Sequence, residues 1–388
     1  MSLGIYIQVP FCQTKCTYCN FHTGVVSSAR FAPYAAAVET EIREHPQRLR
    51  HAGVHLPDEL RKLLVDTVYF GGGTPSLLDP AHLKAILETV RGSFSCSLDE
   101  VTLEADPETV DQAKADAWIA AGINRISLGV QSFSDPELKA AGRMHRREDV
   151  YSTEAALRSA GIEDISFDLI AGLPYQTAER WRNSLDETVG LAPEHVSVYL
   201  LEVDEGSRLG GELLSGGTKY SARAVPSEEV MVECYDLART TLKSAGYLHY
   251  EISNFARPDF ASLHNLKYWR RQPYLGFGAG AHSFSGLQRW ANAHDSAAYV
   301  QAIGTGGLPV EQLEDISPEQ ALEEELFLGL RQLAGIDLQH LEGVYGIPLE
   351  SRFERLQQAG LIERSGGVVR LAPERLSVSN EAFVELLR

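Results

Sequence analysis

Between residues 4 and 203 the chain carries six short apolar strand signals, set apart by amphipathic helical ones. Strands are predicted over 4–9, 65–70, 100–105, 125–130, 165–170 and 195–201, each rich in β-branched or aromatic residues. Amphipathic stretches at 31–50, 81–91, 110–121, 149–160 and 178–189 lie between them. Such alternation leaves few topologies: parallel strands side by side, joined by right-handed helical crossovers. Six βα units fall two short of a closed barrel. The predicted fold is therefore α/β, an open partial (β/α)6 barrel with a lateral gap for a large substrate.

Two further regions follow this barrel over 1–203. Residues 204–316 read as an irregular α/β extension, with a helix near 228–245 and an aromatic run at 264–284. The density of Gly276, Gly278 and Gly280 there implies close backbone approach or tight turns. Residues 317–388 show helical periodicity at 319–333, 337–345 and 349–358, then strand signals on either side of Gly366-Gly367. Three helices and a hairpin outline a winged-helix-like domain. From Ile316 onward this tail has 12 acidic and 7 basic residues and no lysine. A wing that reads DNA would be basic, so the tail reads as a protein-contact or lid module. The whole chain carries a formal charge of -18, which argues against nonspecific nucleic-acid binding. No apolar run is long enough to span a bilayer, and the first residues lack a basic, signal-like start, so the expected location is cytoplasmic.

The five cysteines are too few and too odd in number for a disulfide framework. Three of them form Cys12-x3-Cys16-x2-Cys19, directly after the first strand, in the loop where parallel sheets place ligands. This spacing lets one loop present three thiolates to three irons and leaves a fourth iron open. A zinc site completed by His22 is the competing reading, but structural zinc takes four ligands and this is not a usual zinc spacing. Cys96 and Cys234 read as ordinary buried thiols. After the second strand comes Gly71-Gly72-Gly73-Thr74-Pro75, which lacks the Lys of a phosphate loop. Glu104, Gln131, Arg143 and Asp168 fall at or just beyond later strand ends, so a shared ligand at one rim of the barrel is expected.

The stretch from Tyr6 to Cys19, Tyr-Ile-Gln-Val-Pro-Phe-Cys-Gln-Thr-Lys-Cys-Thr-Tyr-Cys, resembles the opening of the oxygen-independent coproporphyrinogen III oxidase-like radical S-adenosylmethionine (SAM) proteins. Tyr69-Phe-Gly-Gly-Gly-Thr-Pro-Ser76, Glu104-Ala-Asp-Pro107, Leu128-Gly-Val-Gln-Ser-Phe133 and Phe167-Asp-Leu-Ile-Ala-Gly-Leu-Pro174 extend the resemblance over essentially the whole chain. It implies a [4Fe-4S] cluster on Cys12, Cys16 and Cys19. It also implies SAM contacts at Tyr6, Tyr18, Gly72, Gly73, Thr74, Glu104, Gln131, Arg143 and Asp168. In that family SAM chelates the open iron, and one electron cleaves it to methionine and a 5′-deoxyadenosyl radical. Gly73 is expected to lie against the ligand with no room for a side chain.

Two features separate the branches of the family. The oxidases resemble Cys-x3-Cys-x2-Cys-x-Cys and carry a longer segment before the cluster; here Phe21 stands in the place of the fourth cysteine. His264-Asn265-Leu266-Lys267-Tyr268-Trp269 resembles the HNxxYW motif of the haem chaperone branch, which implies His264 as a haem-binding residue. An axial imidazole suits haem iron, and Tyr268 and Trp269 offer flat apolar surface. The competing reading is that His264 caps a turn while Tyr268 and Trp269 pack in the core. His282 is a second candidate that reads as structural. The expected function is a haem chaperone that passes haem to acceptor proteins. The expected partners are haem or porphyrin, an electron donor, and peripheral contact with membrane-bound acceptors, with no nucleic acid. The alternatives are an enzyme, a coproporphyrinogen III dehydrogenase, and, further off, a nucleic-acid-modifying radical SAM enzyme.

Overall fold

The computed structural model describes residues 2–308 and 310–386. Its six leading strands are β1 (Leu3–Val9), β2 (Val65–Gly72), β3 (Cys96–Ala105), β4 (Arg125–Gln131), β5 (Asp164–Ala171) and β6 (His195–Leu200). They pair in that order and in parallel. The crossovers carry α1 (Phe31–His51), α2 (Pro80–Ser93), α3 (Gln112–Ala121), α4 (Asp135–Ala140), α5 (Arg147–Ala160) and α6 (Ala178–Leu191). Local chemistry sets the helix ends. Asp79 accepts from the Ala81 amide with Pro80 at the first helical position, and α5 ends on Gly161 with φ 96°. The short helix α4 had no clear periodic signal.

The strands have two unlike faces. Ile5, Ile7, Phe70, Leu103, Leu128, Phe167 and Val198 point outward and are buried against the helices. Alternate residues point into the barrel, and most are polar: Gln8, Thr67, Glu104, Ser127, Asp168 and Ser197. Closed barrels of this kind usually fill their interior with branched apolar residues. Here the apolar core sits between sheet and helices, and the interior is left for ligand chemistry.

The sheet does not close. Its twelve strands run β12-β11-β10-β9-β1-β2-β3-β4-β5-β6-β8-β7, where β7 is Leu248–Glu251, β8 Asn254–Ala256, β9 Tyr274–Phe277, β10 His282–Phe284, β11 Gln288–Asn292 and β12 Val310–Asp315. The region read as an irregular extension therefore lengthens the same sheet at both edges. Strands as short as Asn254–Ala256 carry too little periodicity to be seen in sequence. Gly278, with φ 102°, lets this added part approach β1: a Cβ there would lie 2.7 Å from the Gln8 carbonyl and 2.6 Å from the Tyr34 hydroxyl. Glu41 of α1 accepts from the Gly278 amide, Asn292 and the Tyr299 hydroxyl, tying α1 to the extension.

The tail contains the helices Pro318–Arg331, Leu338–Tyr345 and Glu350–Gln358, then the antiparallel hairpin Ile362–Ser365 and Val368–Leu371. A last helix, Ser379–Leu386, had not been expected. The tail docks through apolar packing, backbone bonds from the Ile252 amide to Arg331 O (3.2 Å) and from the Leu333 amide to Tyr250 O (3.1 Å), and charge. Arg331 pairs with Glu251 at 2.6 Å and lies 4.3 Å over the Trp269 ring, while Glu324 bridges Arg271 (2.7 Å) and Arg289 (2.8 Å). Among the described residues no helix is long and apolar enough to cross a membrane.

The two-faced sheet makes a stability prediction. Phe167→Ala removes a fully buried ring from the outer face and should cost about 3–5 kcal/mol. Ser197→Ala, on the inner face, should cost about 1 kcal/mol. Denaturant midpoints check both, and equal losses would contradict the division of faces.

Candidate functional site

The loop that leaves β1 folds back on itself. The Cys12 amide donates to Gly24 O at 3.1 Å, and the Gly24 amide returns a bond to Pro10 O at 2.9 Å. Within it the Cys19 amide reaches Cys16 O at 3.4 Å. Thr17 anchors the loop's middle, its amide donating to Ala141 O at 2.9 Å and its carbonyl accepting from the Leu209 amide at 2.7 Å. All three cysteines are free and partly exposed. Burial pushes the Cys12 and Cys19 thiols up from their ordinary pKa.

The glycine loop after β2 grips the start of this cysteine loop. The Gly73 amide donates to Val9 O at 2.9 Å and the Thr74 amide to Phe11 O at 2.7 Å. A Cβ on Gly73 would lie 2.5 Å from that same Phe11 oxygen. Gly73 thus has no room for a side chain, as expected, and part of the reason is the chain's own backbone next to Cys12. Gly72, with φ 111°, similarly faces the Gln8 side chain.

Glu104 sits under this loop. It accepts from the Tyr69 hydroxyl and from the Gly72 amide, each at 3.0 Å, and burial still raises its pKa to about 7. Tyr6, stacked on Tyr69 with centroids 6.0 Å apart, donates to Gln8 at 2.8 Å. Two residues beyond Glu104, Asp106 accepts from Thr74 at 3.0 Å and pairs with Arg143. Arg143 also donates to Gly129 O at 2.9 Å and lies 3.6 Å from Cys16 Sγ. Burial and the neighbouring Cys16 push the Tyr18 phenol well above its ordinary pKa. Gln131 adopts φ 63°, a conformation most side chains avoid, and the Ser132 amide closes the turn onto Val130 O at 2.8 Å. Asp106 and Gln8 were not among the expected site residues. The strand's period of two was the available signal, because Asp106 shares a face with Glu104 and Gln8 with Tyr6.

Asp168 lies deeper, on β5. Its carboxylate accepts from Ser127 at 3.0 Å and faces Ser166 at 3.5 Å. From there a string of polar groups leads down the barrel. Ser166 Oγ is 2.8 Å from His195 Nδ1, and His195 Nε2 is 2.8 Å from the Tyr250 hydroxyl. That hydroxyl accepts from the Ser262 amide at 3.3 Å.

The string ends at the helix Leu263–Trp269, which holds the His-Asn-x-x-Tyr-Trp run and plugs the N-terminal mouth of the barrel. Glu100 caps it, accepting from the amides of Leu263 (2.6 Å) and His264 (3.1 Å). His264 is fully buried. Its Nδ1 is 2.9 Å from Thr67 Oγ1 and its Nε2 is 2.8 Å from the Tyr268 hydroxyl. Burial and the nearby Lys267 lower its pKa to about 3. The structure does not bring His264 together with the cysteines. Thr67, near the start of β2, and Gly72, at its end, are roughly 16 Å apart for five strand residues.

The sequence pattern of the radical SAM superfamily matches residues 6–188, and that of the HemN C-terminal domain matches residues 316–374. Heme chaperone HemW from Bacillus subtilis (strain 168) is 34% identical over 97% of this chain and 97% of its own length. The chain belongs to the HemW branch of the radical SAM superfamily. Heme chaperone HemW from Synechocystis sp. is 37% identical over 89% of this chain and 81% of its own. Radical S-adenosyl methionine domain-containing protein 1, mitochondrial, from Bos taurus is 33% identical over 99% of this chain and 87% of its own. Coproporphyrinogen III oxidase (HemN) from Escherichia coli shares the fold, with a TM-score of 0.82 at 22% identity over 99% of this chain and 90% of that one.

Membership of the radical SAM superfamily brings a [4Fe-4S] cluster and SAM. The HemW-branch residues fit both. The loop offers three free thiols and no fourth. Three thiols on one loop suit a cluster that gives each its own iron, whereas a structural zinc takes four ligands. Beside the loop, Glu104 and Asp106 offer acceptors and Arg143 a guanidinium, a set matched to an amino acid's ammonium and carboxylate.

Two measurements test this geometry. Gly73→Ala should displace Phe11 and so lower the iron retained after anaerobic reconstitution, together with SAM binding; full iron with only SAM binding lost would return the glycine to the ligand. The raised pKa of Glu104 means that the folded, ligand-free chain keeps a proton which the unfolded chain releases near 4.5. Its contribution to stability therefore falls as pH rises from about 4.5 to 7. Urea midpoints across that window should slope less in Glu104→Gln, and an unchanged slope would place Glu104 in water.

Proposed function

We propose that this chain is a haem chaperone, a radical SAM protein that holds haem and hands it to acceptor proteins. The observation that carries this reading is Phe21. Its ring is 64% exposed two residues beyond Cys19, where the resemblance gives the oxidases a further cysteine. Relatives called heme chaperone HemW, about a third identical over most of this chain, support it. The coproporphyrinogen oxidase reading rests on the shared fold.

Cys12, Cys16 and Cys19 would hold a [4Fe-4S] cluster, which would supply the electron for SAM cleavage. The chain's own part is positional. Thr74 and Asp106 hold Arg143 toward Cys16, Glu104 places a carboxylate under the glycine loop, and Gln131 and Asp168 present polar groups from β4 and β5. The helix Leu263–Trp269 closes the far mouth against water. The haem-ligand role that the resemblance gives His264 requires this helix to leave the barrel, because both ring nitrogens are engaged inside it. The electron donor, the haem acceptors and peripheral contact with membrane-bound acceptors belong to the same proposal. They fit the acidic docking tail, which carries no lysine.

The test is a paired anaerobic assay with SAM and a reductant present. Haemin should bind with a shifted Soret band, and coproporphyrinogen should not be converted to protoporphyrinogen. Catalytic conversion, even far below an enzyme median on the order of ten per second, would overturn the chaperone reading in favour of the oxidase.

A further inference from the structure

Gln131 reaches the site through an awkward backbone. A Cβ on Gly129 would lie 3.0 Å from Gln131 Nε2, 3.1 Å from Asp106 Oδ1 and 3.2 Å from Arg143 Nη2. These three groups therefore converge over that bare residue of β4. To turn its amide back onto them, Gln131 takes φ 63°. A side chain in that region costs about 1–3 kcal/mol and stays there only where the surroundings fix it.

What fixes it lies behind the site. Ser132, the next residue, is fully buried. Its hydroxyl accepts from the Ser134 amide at 3.0 Å and donates to Glu137 Oε2 at 2.7 Å. Glu137, on α4, is also fully buried. Its Oε2 accepts a second bond, from Gln176 Nε2 at 3.2 Å, while its Oε1 has no partner. Gln176 in turn holds the bend that follows β5. Its Oε1 accepts from the Gly172 amide at 2.5 Å and its Nε2 donates to Ile170 O at 3.1 Å. The turns after β4 and β5 thus hang from one buried carboxyl group. Such a group is costly to bury unless it is paired, and here its two bonds go to these two turns.

We infer that Glu137 and Gln176 are positioning residues for SAM, holding Ser132 and so the backbone that aims Gln131 at Asp106 and Arg143. The inference rests on the SAM contact proposed for Gln131 and extends it to two residues behind the site. Without the carboxyl group, Ser132 Oγ and Gln176 Nε2 lose their shared acceptor. The turn can then relax to negative φ, and the Gln131 amide swings away from Arg143.

The test uses full-length protein with its cluster reconstituted anaerobically. SAM affinity is read by equilibrium dialysis, beside cluster iron and urea midpoints. Glu137→Ala and Gln176→Leu should each weaken SAM binding about tenfold with iron unchanged. Glu137→Gln keeps an acceptor for Ser132 and should stay within about threefold of wild type. Ser132→Ala keeps the carboxyl group and removes the hydroxyl it holds; it is the second variant should Glu137→Ala not fold, and should also weaken SAM binding about tenfold. The deciding measurement is a double-variant cycle with Gln131→Ala, which alone should weaken SAM binding. Adding Glu137→Ala or Ser132→Ala to it should lower the urea midpoint as before and cost no further SAM affinity, because the side chain being aimed is gone. Undiminished SAM affinity in Gln176→Leu and Ser132→Ala, or a full further loss in the Gln131→Ala background, overturns the inference and leaves the Gln131 contact standing. Unchanged SAM affinity in Gln131→Ala alone overturns that contact and the inference with it.

Discussion

The interior of the barrel is polar, and most of the structure answers to that. Six parallel strands send Gln8, Glu104, Ser127, Asp168 and Ser197 inward, where a closed barrel would pack branched apolar side chains. Buried carboxylates are costly unless something pairs with them. Each is met: Glu104 by Tyr69 and the Gly72 amide, Asp106 by Thr74 and Arg143, Asp168 by serines on its own and neighbouring strands. A polar interior cannot supply the fold's cohesion. The outer face does so instead, with Phe70, Leu103, Phe167 and Val198 packed under the helices.

Openness follows from the same constraint. A sheet with an unfilled interior needs its edges and its floor covered by other parts of the chain. The region after β6 adds short strands to both edges, and one helix from it caps the floor on Glu100. The tail then holds that helix from outside, through Arg331 on Trp269 and Glu251. The helix that carries the His-Asn-x-x-Tyr-Trp run sits, in the fold, as a stopper between barrel and tail.

The leading six strands and five of the helices between them were legible in sequence because each is long enough to show its period and ends on clear turn chemistry. The cysteine spacing was legible because it is local. Asp106 went unnoticed because its role depends on the carboxylate two residues earlier facing the same way. The crowding at Gly73 was legible but not its source in the chain, since nothing in sequence tells that the Phe11 carbonyl passes 2.5 Å from its missing Cβ. His264 could not be placed from its motif alone, because its surroundings, Thr67 and Glu100, come from strands more than 150 residues earlier in the chain.

The polar string beneath Asp168 joins the helix on the barrel floor to the carboxylate. Tyr250 accepts from the Ser262 amide and lies 2.8 Å from His195 Nε2, while His195 Nδ1 is 2.8 Å from Ser166 Oγ, itself 3.5 Å from Asp168. Burial pushes the His195 pKa well below its ordinary value, which favours the neutral ring. A neutral imidazole has one N–H, so it gives to one neighbour and takes from the other, and the hydrogens of the row turn together. The seating of the helix, which sets Ser262 against Tyr250, and the hydroxyl that faces Asp168 are therefore two ends of one row.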